Sequence, residues 1–403
     1  MCLLALPLQG ASDVPAKERT RRELIERMAA MLPRVAKING FDSYKPIPVE
    51  VFSRAESQAV LAAMIRSEIP AADLAEMASA LAEIGLLPRD YDLADGMSRL
   101  LSRYMAAGYD PAGDRFVCLL DVYNADGKGH NYATIMAHEL THALQDQVFD
   151  IYADQMRHIG NMDHDFAINA LLEGMACLSM MAFSRSAGLE GLPDVSAYMR
   201  ASFDHNPAFS QNQDIPPFLL NRFRAIYVDG SAFVQQWLKE HPKHSLRHIL
   251  RHTDLTSEQV LHYDKFKTRD TPGVTAMPDC APPKDWEFQY KLYLGEWDVR
   301  AMFSRPGMAR AHAEAIAAGW DGLVVHLYTT PAGQQVLLGL SCWDREDDAG
   351  EFASALPGLL EELHPPGSFN VYAKGKYVAF FVGPRPDIRA PLLQALITRA
   401  GAG

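Results

Sequence analysis

The sequence predicts an α+β chain: a mainly helical domain with a small sheet, followed by a smaller α+β domain with an antiparallel sheet. Three observations predict it. Apolar residues recur at helical spacing through most of the first two-thirds of the chain, broken by only two short strand-like runs. A proline-rich stretch at residues 271–285, with Pro272, Pro278, Pro282 and Pro283, then reads as a linker. Beyond it, hairpin signals alternate with amphipathic helices, the texture of an antiparallel sheet covered by helices.

Length and composition frame this. A chain of 403 residues has material for two domains and a real core. The divisions expected are an N-terminal segment and helix at 1–44, a main domain at 45–285 and an accessory domain at 286–403. Apolar content of 48% and charged content of 22% are those of a soluble globular protein. A net charge of −12 argues against a nucleic-acid partner, which asks for a basic face. No run of about eighteen apolar residues is present, so no membrane span is expected. The five cysteines are scattered without a Cys-x-x-Cys pair, which signals neither a cysteine zinc site nor a disulfide framework. Residues 1–11 form a short apolar run ending in small residues but lack a basic start. That incomplete signal-like segment points to a secreted or periplasmic protein and leaves a cytoplasmic one open.

In chain order, residues 22–32 carry Leu24, Ile25, Met28, Met31 and Leu32 at helical spacing, and 46–52 alternate as a short strand. Ser53 and Glu56 form a capping box opening a helix that Pro70 closes. Helices follow at 72–86 and 94–107, then a strand at 114–123 whose open edge would line a cleft. Residues 163–176 form a further helix, 188–217 a long connection suited to a lid, and 222–238 a strong helix. Residues 254–262 read as a loop and short helix. In the last region, helices are expected at 291–303, 309–318, 347–363 and 388–398. Hairpins are expected at 323–342 and 370–382, in a layer of ferredoxin-like general shape.

The chemistry concentrates in residues 135–146, whose core is His138-Glu139-x-x-His142. On a helix the two histidines stack one turn apart and can share one metal, while Glu139 stands about 100° round, in place for a general base. Met136, Leu140, Ala143 and Leu144 make the opposing apolar stripe, and Asp146 shares the histidine row, where it would orient His142. A zinc hydrolase needs a third protein ligand and leaves the fourth position to water. Gln145 and Val148 stand where the extended form of the motif carries Gly and His, so that form is excluded. Glu173, flanked by Ala170, Gly174 and Ala176, suits a close helix approach. His164, Asp163 and Asp165 are its rivals, placed where helix caps are common. Cys177, one turn beyond Glu173, reads as a buried thiol.

These residues resemble the gluzincin zinc metallopeptidases, and more closely a largely uncharacterised group of bacterial metallopeptidases. The matching phrases are 45–48, 108–111, the motif helix through Gln147, Leu172-Glu173-Gly174, Tyr227 with Gly230, 257–262 and 294–297. The resemblance implies a zincin-like domain with His138, His142 and Glu173 holding Zn²⁺, Glu139 as base and a peptide or protein as substrate. Members of the group carry a full signal peptide; this chain departs from them there.

The expected activity is peptide-bond hydrolysis by a zinc-activated water. Tyr227 and His262 are the expected donors to the oxyanion of the tetrahedral intermediate. Two other readings use the same residues: a catalytically silent metal-binding scaffold, against which the retained Glu139 counts, and a zinc hydrolase of a non-peptide amide or cell-wall material. Oligomeric state is not legible in the sequence.

Overall fold

A computed structural model describes residues 14–104, 106–126, 130–206, 209, 214–278, 282–305, 308–384 and 386–401. The signal-like segment at 1–11 lies outside them, as do Cys2 and Cys280. The protein is α+β, largely helical, with a five-stranded antiparallel sheet towards its C-terminus.

Helix α1 (Val14–Asn39) buries Leu24, Met28, Leu32 and Val35, the i, i+4 stripe that predicted its middle. Strand β1 (Val49–Phe52) leads into α2 (Arg54–Glu68), which starts as expected: Ser53 accepts from the Glu56 N–H, and the Ser53 N–H donates to Glu56 Oε2 at 2.7 Å. After α3 (Ala71–Glu83) and α4 (Leu93–Tyr104) come β2 (Ala107–Asp110) and β3 (Arg115–Leu119). The strand expected to run to residue 123 stops at Leu119, where the chain turns into α5 (Leu120–Asp126). The sheet order β1-β3-β2 also corrects the expected cleft edge. β3 is paired on both sides, parallel to β1 and antiparallel to β2, so β1 and β2 are the edge strands, and it is β2 whose Gly108 and Tyr109 line the cleft.

The motif occupies α6 (His130–Phe149). It is followed by α7 (Ile151–Arg157), α8 (Met162–Arg185), α9 (Val195–Asp204) and α10 (Pro217–Glu240). α8 is apolar and long enough to cross a membrane by composition alone, but 78% of its most apolar window is buried inside the fold. It is the central core helix, packed by α6 and α10. Part of the expected lid forms α9; residues 207, 208 and 210–213 of it lie outside the described chain. Two short helices, α11 (Ser257–Leu261) and α12 (Tyr263–Thr268), complete this half.

Strand β4 (Glu287–Leu294) corrects another expectation, since a helix was expected from residue 291. Tyr290, Leu292 and Leu294 are buried at alternate positions, a period-2 signal that the neighbouring helical run masked. Gly295 N-caps α13 (Glu296–Phe303), and α14 (Arg310–Ala317), β5 (Trp320–Thr329) and β6 (Gln335–Trp343) follow. α15 (Glu346–Leu363), β7 (Phe369–Lys374), β8 (Tyr377–Val382) and α16 (Pro386–Ala400) close the chain. The order is β4-β5-β6-β8-β7 with every pair antiparallel. A ferredoxin-like arrangement needs neighbouring parallel strands, so that shape is corrected.

The linker at 271–285 joins the two regions without separating their cores. One apolar cluster runs from Met136, Leu140 and Met175 to Leu292, Val299 and Phe352. A smaller one, with Trp286, Leu338, Phe381 and Leu396, lies under the other face of the sheet. Buried polar bonds cross the join as well. Arg222 on α10 bonds Asp298 at 2.5 Å, the Met162 carbonyl at 2.6 Å and Asp165 at 3.0 Å. The ring of Trp297 stacks on Phe166 at 5.4 Å. The expected boundary at 285/286 is therefore a chain connection across a shared core.

Candidate metal centre

Three helices deliver the site. α6 buries Met136, Leu140 and Leu144 completely or nearly so, which turns His138, Glu139 and His142 towards a cleft. α8 brings Glu173 and α10 brings Tyr227 to the same cleft. These two helices touch through glycine: a Cβ on Gly174 would stand 2.3 Å from the Gly230 carbonyl oxygen, and one on Gly230 would stand 2.0 Å from that of Ala170. No side chain fits there.

Three ligand atoms converge. His138 Nε2 and His142 Nε2 are 3.1 Å apart, and Glu173 Oε2 lies 2.9 Å from the first and 3.4 Å from the second. Donors disposed tetrahedrally at about 2.0–2.2 Å from zinc stand roughly 3.3 Å from one another. The observed triangle fits. Glu173 Oε2 is also buried and faces the two imidazole nitrogens, so it is aimed at the point the triangle encloses.

The electrostatics favour positive charge at this point. Burial pushes the Glu173 carboxyl up, but His142 and His138 outweigh it and hold that group well below the usual carboxylate range. Burial lowers His142, and Glu173 and Glu139 more than offset this, lifting it to about 9. Glu139 is raised above its ordinary value, chiefly by burial, with the two histidines opposing. Its Oε2 accepts the Tyr109 backbone N–H at 3.0 Å, so the open edge of β2 aims the carboxylate. Burial, and then the two glutamates, push the Tyr227 phenol well up, so it keeps its proton. The Tyr227 ring lies 6.0 Å from that of His138, with the planes 13° apart.

The cleft encloses about 540 Å³. Its walls are largely apolar, with Phe52, Leu61 and Ile65 on one side and Met199, Phe203 and Phe223 on the other.

Other expected residues stand elsewhere. His262 is exposed, at 3.0 Å from the buried Glu296 and 3.1 Å from Arg300, and does not line the cleft. It is corrected as an oxyanion donor, because α11 ends on the C-terminal region's side of α10. The rival third ligands are engaged too. Asp163 accepts the Ser257 N–H at 2.7 Å, Asp165 bonds Arg222, and His164 Nε2 meets Asp154 at 2.8 Å. Asp146 does not orient His142; it accepts from the Tyr109 hydroxyl at 2.7 Å and the Ile151 N–H at 2.8 Å. Gln145 takes that place, 2.8 Å from His142 Nδ1. The sequence reading missed it, although a glutamine beside an apolar stripe was a usable signal. Cys177 is buried, with its thiol raised well up by burial.

Among the described residues, three groups of His, Asp and Glu could hold a metal ion. Besides His138, His142 and Glu173 they are Asp154, His158 and His164, and Glu258, Asp270 and Asp344. In the second, His158 Nδ1 points its proton at the Asp154 carbonyl oxygen at 2.9 Å and offers no lone pair from that atom. The third already surrounds the Lys265 ammonium.

The fold and site thus define an α+β protein with a cleft that gathers two histidines and two glutamates. Comparison with known families matches residues 290–382 to one described as a domain of unknown function (DUF8575). The match begins within β4 and ends with β8, so it covers the C-terminal sheet and none of the cleft residues. No curated protein and no solved structure matches the chain.

Proposed function

We propose that the protein is a zinc-dependent hydrolase of the gluzincin type, acting on peptide bonds. The observation that carries this is the convergence of His138 Nε2, His142 Nε2 and Glu173 Oε2 with Glu139 one residue along the same helix. The donor set, two imidazoles and one carboxylate, suits Zn²⁺. A bound zinc ion would supply a Lewis acid that acidifies water and polarises a carbonyl.

The rest of the work falls to the chain. Glu139, raised by burial and aimed by the Tyr109 N–H, takes a proton from the attacking water and returns it to the leaving amine. Tyr227 keeps its phenolic proton and can donate a hydrogen bond through it to the developing oxyanion. The apolar walls exclude water and receive apolar side chains of an extended substrate.

The test combines metal analysis with casein and peptide-library digestion, with and without chelator. About one zinc per chain is expected. His142→Ala and Glu173→Ala should lose it, whereas Glu139→Gln should keep metal and fold and lose most turnover. Unchanged activity in Glu139→Gln would remove this mechanism, and a metal-loaded protein inert towards every peptide would favour a non-peptide substrate or a silent scaffold.

A further inference from the structure

One buried amide joins the two helices that carry the three ligand atoms. Gln145 is fully buried, beside the stripe formed by Met136, Leu140, Ala143 and Leu144. An uncompensated amide in such a place costs about 1–3 kcal/mol, so both of its ends should be in use. They are. Gln145 Nε2 donates to the Leu172 carbonyl at 3.0 Å, and Oε1 lies 2.8 Å from His142 Nδ1.

The orientation of this amide follows from its partners. A carbonyl oxygen can only accept, so the end facing Leu172 must be the NH₂ group. The end facing His142 is then the oxygen, which also only accepts. His142 Nδ1 must therefore carry a proton in either charge state of the ring, so Nε2, 3.4 Å from Glu173 Oε2, is the nitrogen left to deprotonate and turn its lone pair to a metal. Leu172 immediately precedes Glu173. The same side chain thus selects the tautomer of one ligand and pins the helix of another.

We infer that Gln145 is the positioning residue of the metal centre. Its amide holds His142 as the Nδ1–H tautomer and ties α8 to α6 at the turn that presents Glu173. Asp146, one turn past His142 on the same row, is occupied by Tyr109 and Ile151 instead. A glutamate at position 145 could hold His142 but would set a second acceptor against the Leu172 carbonyl. Methionine, of similar volume, would do neither.

This inference rests on the zinc reading, and the experiment separates the two. Zinc affinity is measured on metal-free protein by competition with a chromophoric chelator, and the visible spectrum is recorded after loading Co²⁺. Loss of partners that orient metal ligands typically costs 10–100-fold in metal affinity, and Gln145→Met should bind zinc about that much more weakly, with an altered cobalt spectrum. Gln145→Glu should fall between it and the parent protein. A purely structural role predicts something else: lower thermal stability of the metal-free protein, with zinc affinity and cobalt spectrum unchanged. That result overturns the inference. Should Gln145→Met fail to fold, Gln145→Glu decides alone, since parental affinity and spectrum in that variant overturn the inference equally. If the parent protein binds neither metal, the zinc reading fails and this inference falls with it; if the parent binds and the variants match it, only this inference falls.

Discussion

Gly174 and Gly230 meet backbone to backbone, with the Gly230 carbonyl oxygen 2.3 Å from where a Cβ on Gly174 would stand. The contact fixes the distance between α8 and α10, and so between the Glu173 carboxylate and the Tyr227 phenol. Overpacking a well-packed crossing costs about 1–3 kcal/mol. Gly230→Ala should lose stability in that range by urea unfolding and weaken zinc binding as Glu173 is displaced. An alanine variant with parental stability and metal content would show that the helices can separate freely.

The oxyanion assignment is now unequal between its two sequence-derived residues. Tyr227 lines the cleft over His138, whereas His262 pairs with Glu296 and Arg300 outside it. Removing one oxyanion donor typically costs about 10²–10³ in turnover, the loss expected for Tyr227→Phe with zinc content intact. His262→Ala should leave kcat unchanged. A large kinetic loss in the histidine variant alone would reverse the assignment.

Asp163 gives a pH prediction independent of the metal. It is buried at the start of α8, and burial pushes its carboxyl up to about 7, with the Ser257 hydroxyl and N–H opposing. A folded-state pKa above the unfolded value of about 3.9 means that the native state holds the proton more tightly. Its contribution to stability is therefore full below about pH 4 and is lost as pH rises towards 7. Asp163→Asn keeps an acceptor for Ser257 and has no proton to lose. Urea midpoints between pH 4 and 8 should show a shallower decline in the variant; identical slopes would contradict the burial argument.

The legible parts of this protein were the local ones. The His138–His142 spacing is fixed by helix geometry, and the Ser53–Glu56 box announces its own helix start. Glu173 stood out because small neighbours such as Gly174 advertise a close crossing. Contacts between elements were less legible. Gln145 and Asp146 are adjacent in sequence, and which of them holds His142 depends on where the Leu172 carbonyl and the Tyr109 hydroxyl arrive. His262 carries the right chemistry, but the path of α11 past α10 takes it out of the cleft. β4 was hidden because its alternation is short and runs straight into α13.

The polar anchors at the start of α8 set an order on how the protein is made. Asp165 waits for Arg222, 57 residues later in synthesis, and Asp163 waits for Ser257, 94 residues later; Arg222 itself waits another 76 for Asp298. Ribosomes add about 5–20 residues per second, so the central helix spends several seconds with Asp163 and Asp165 still lacking these later partners. The histidine helix and the glutamate helix leave the ribosome early, yet the buried bond from Arg222 to Asp298 can form only after the stretch matched to DUF8575 has begun to emerge. Nascent chains arrested ahead of Asp298 should therefore be more protease-sensitive at α8 than chains released after it.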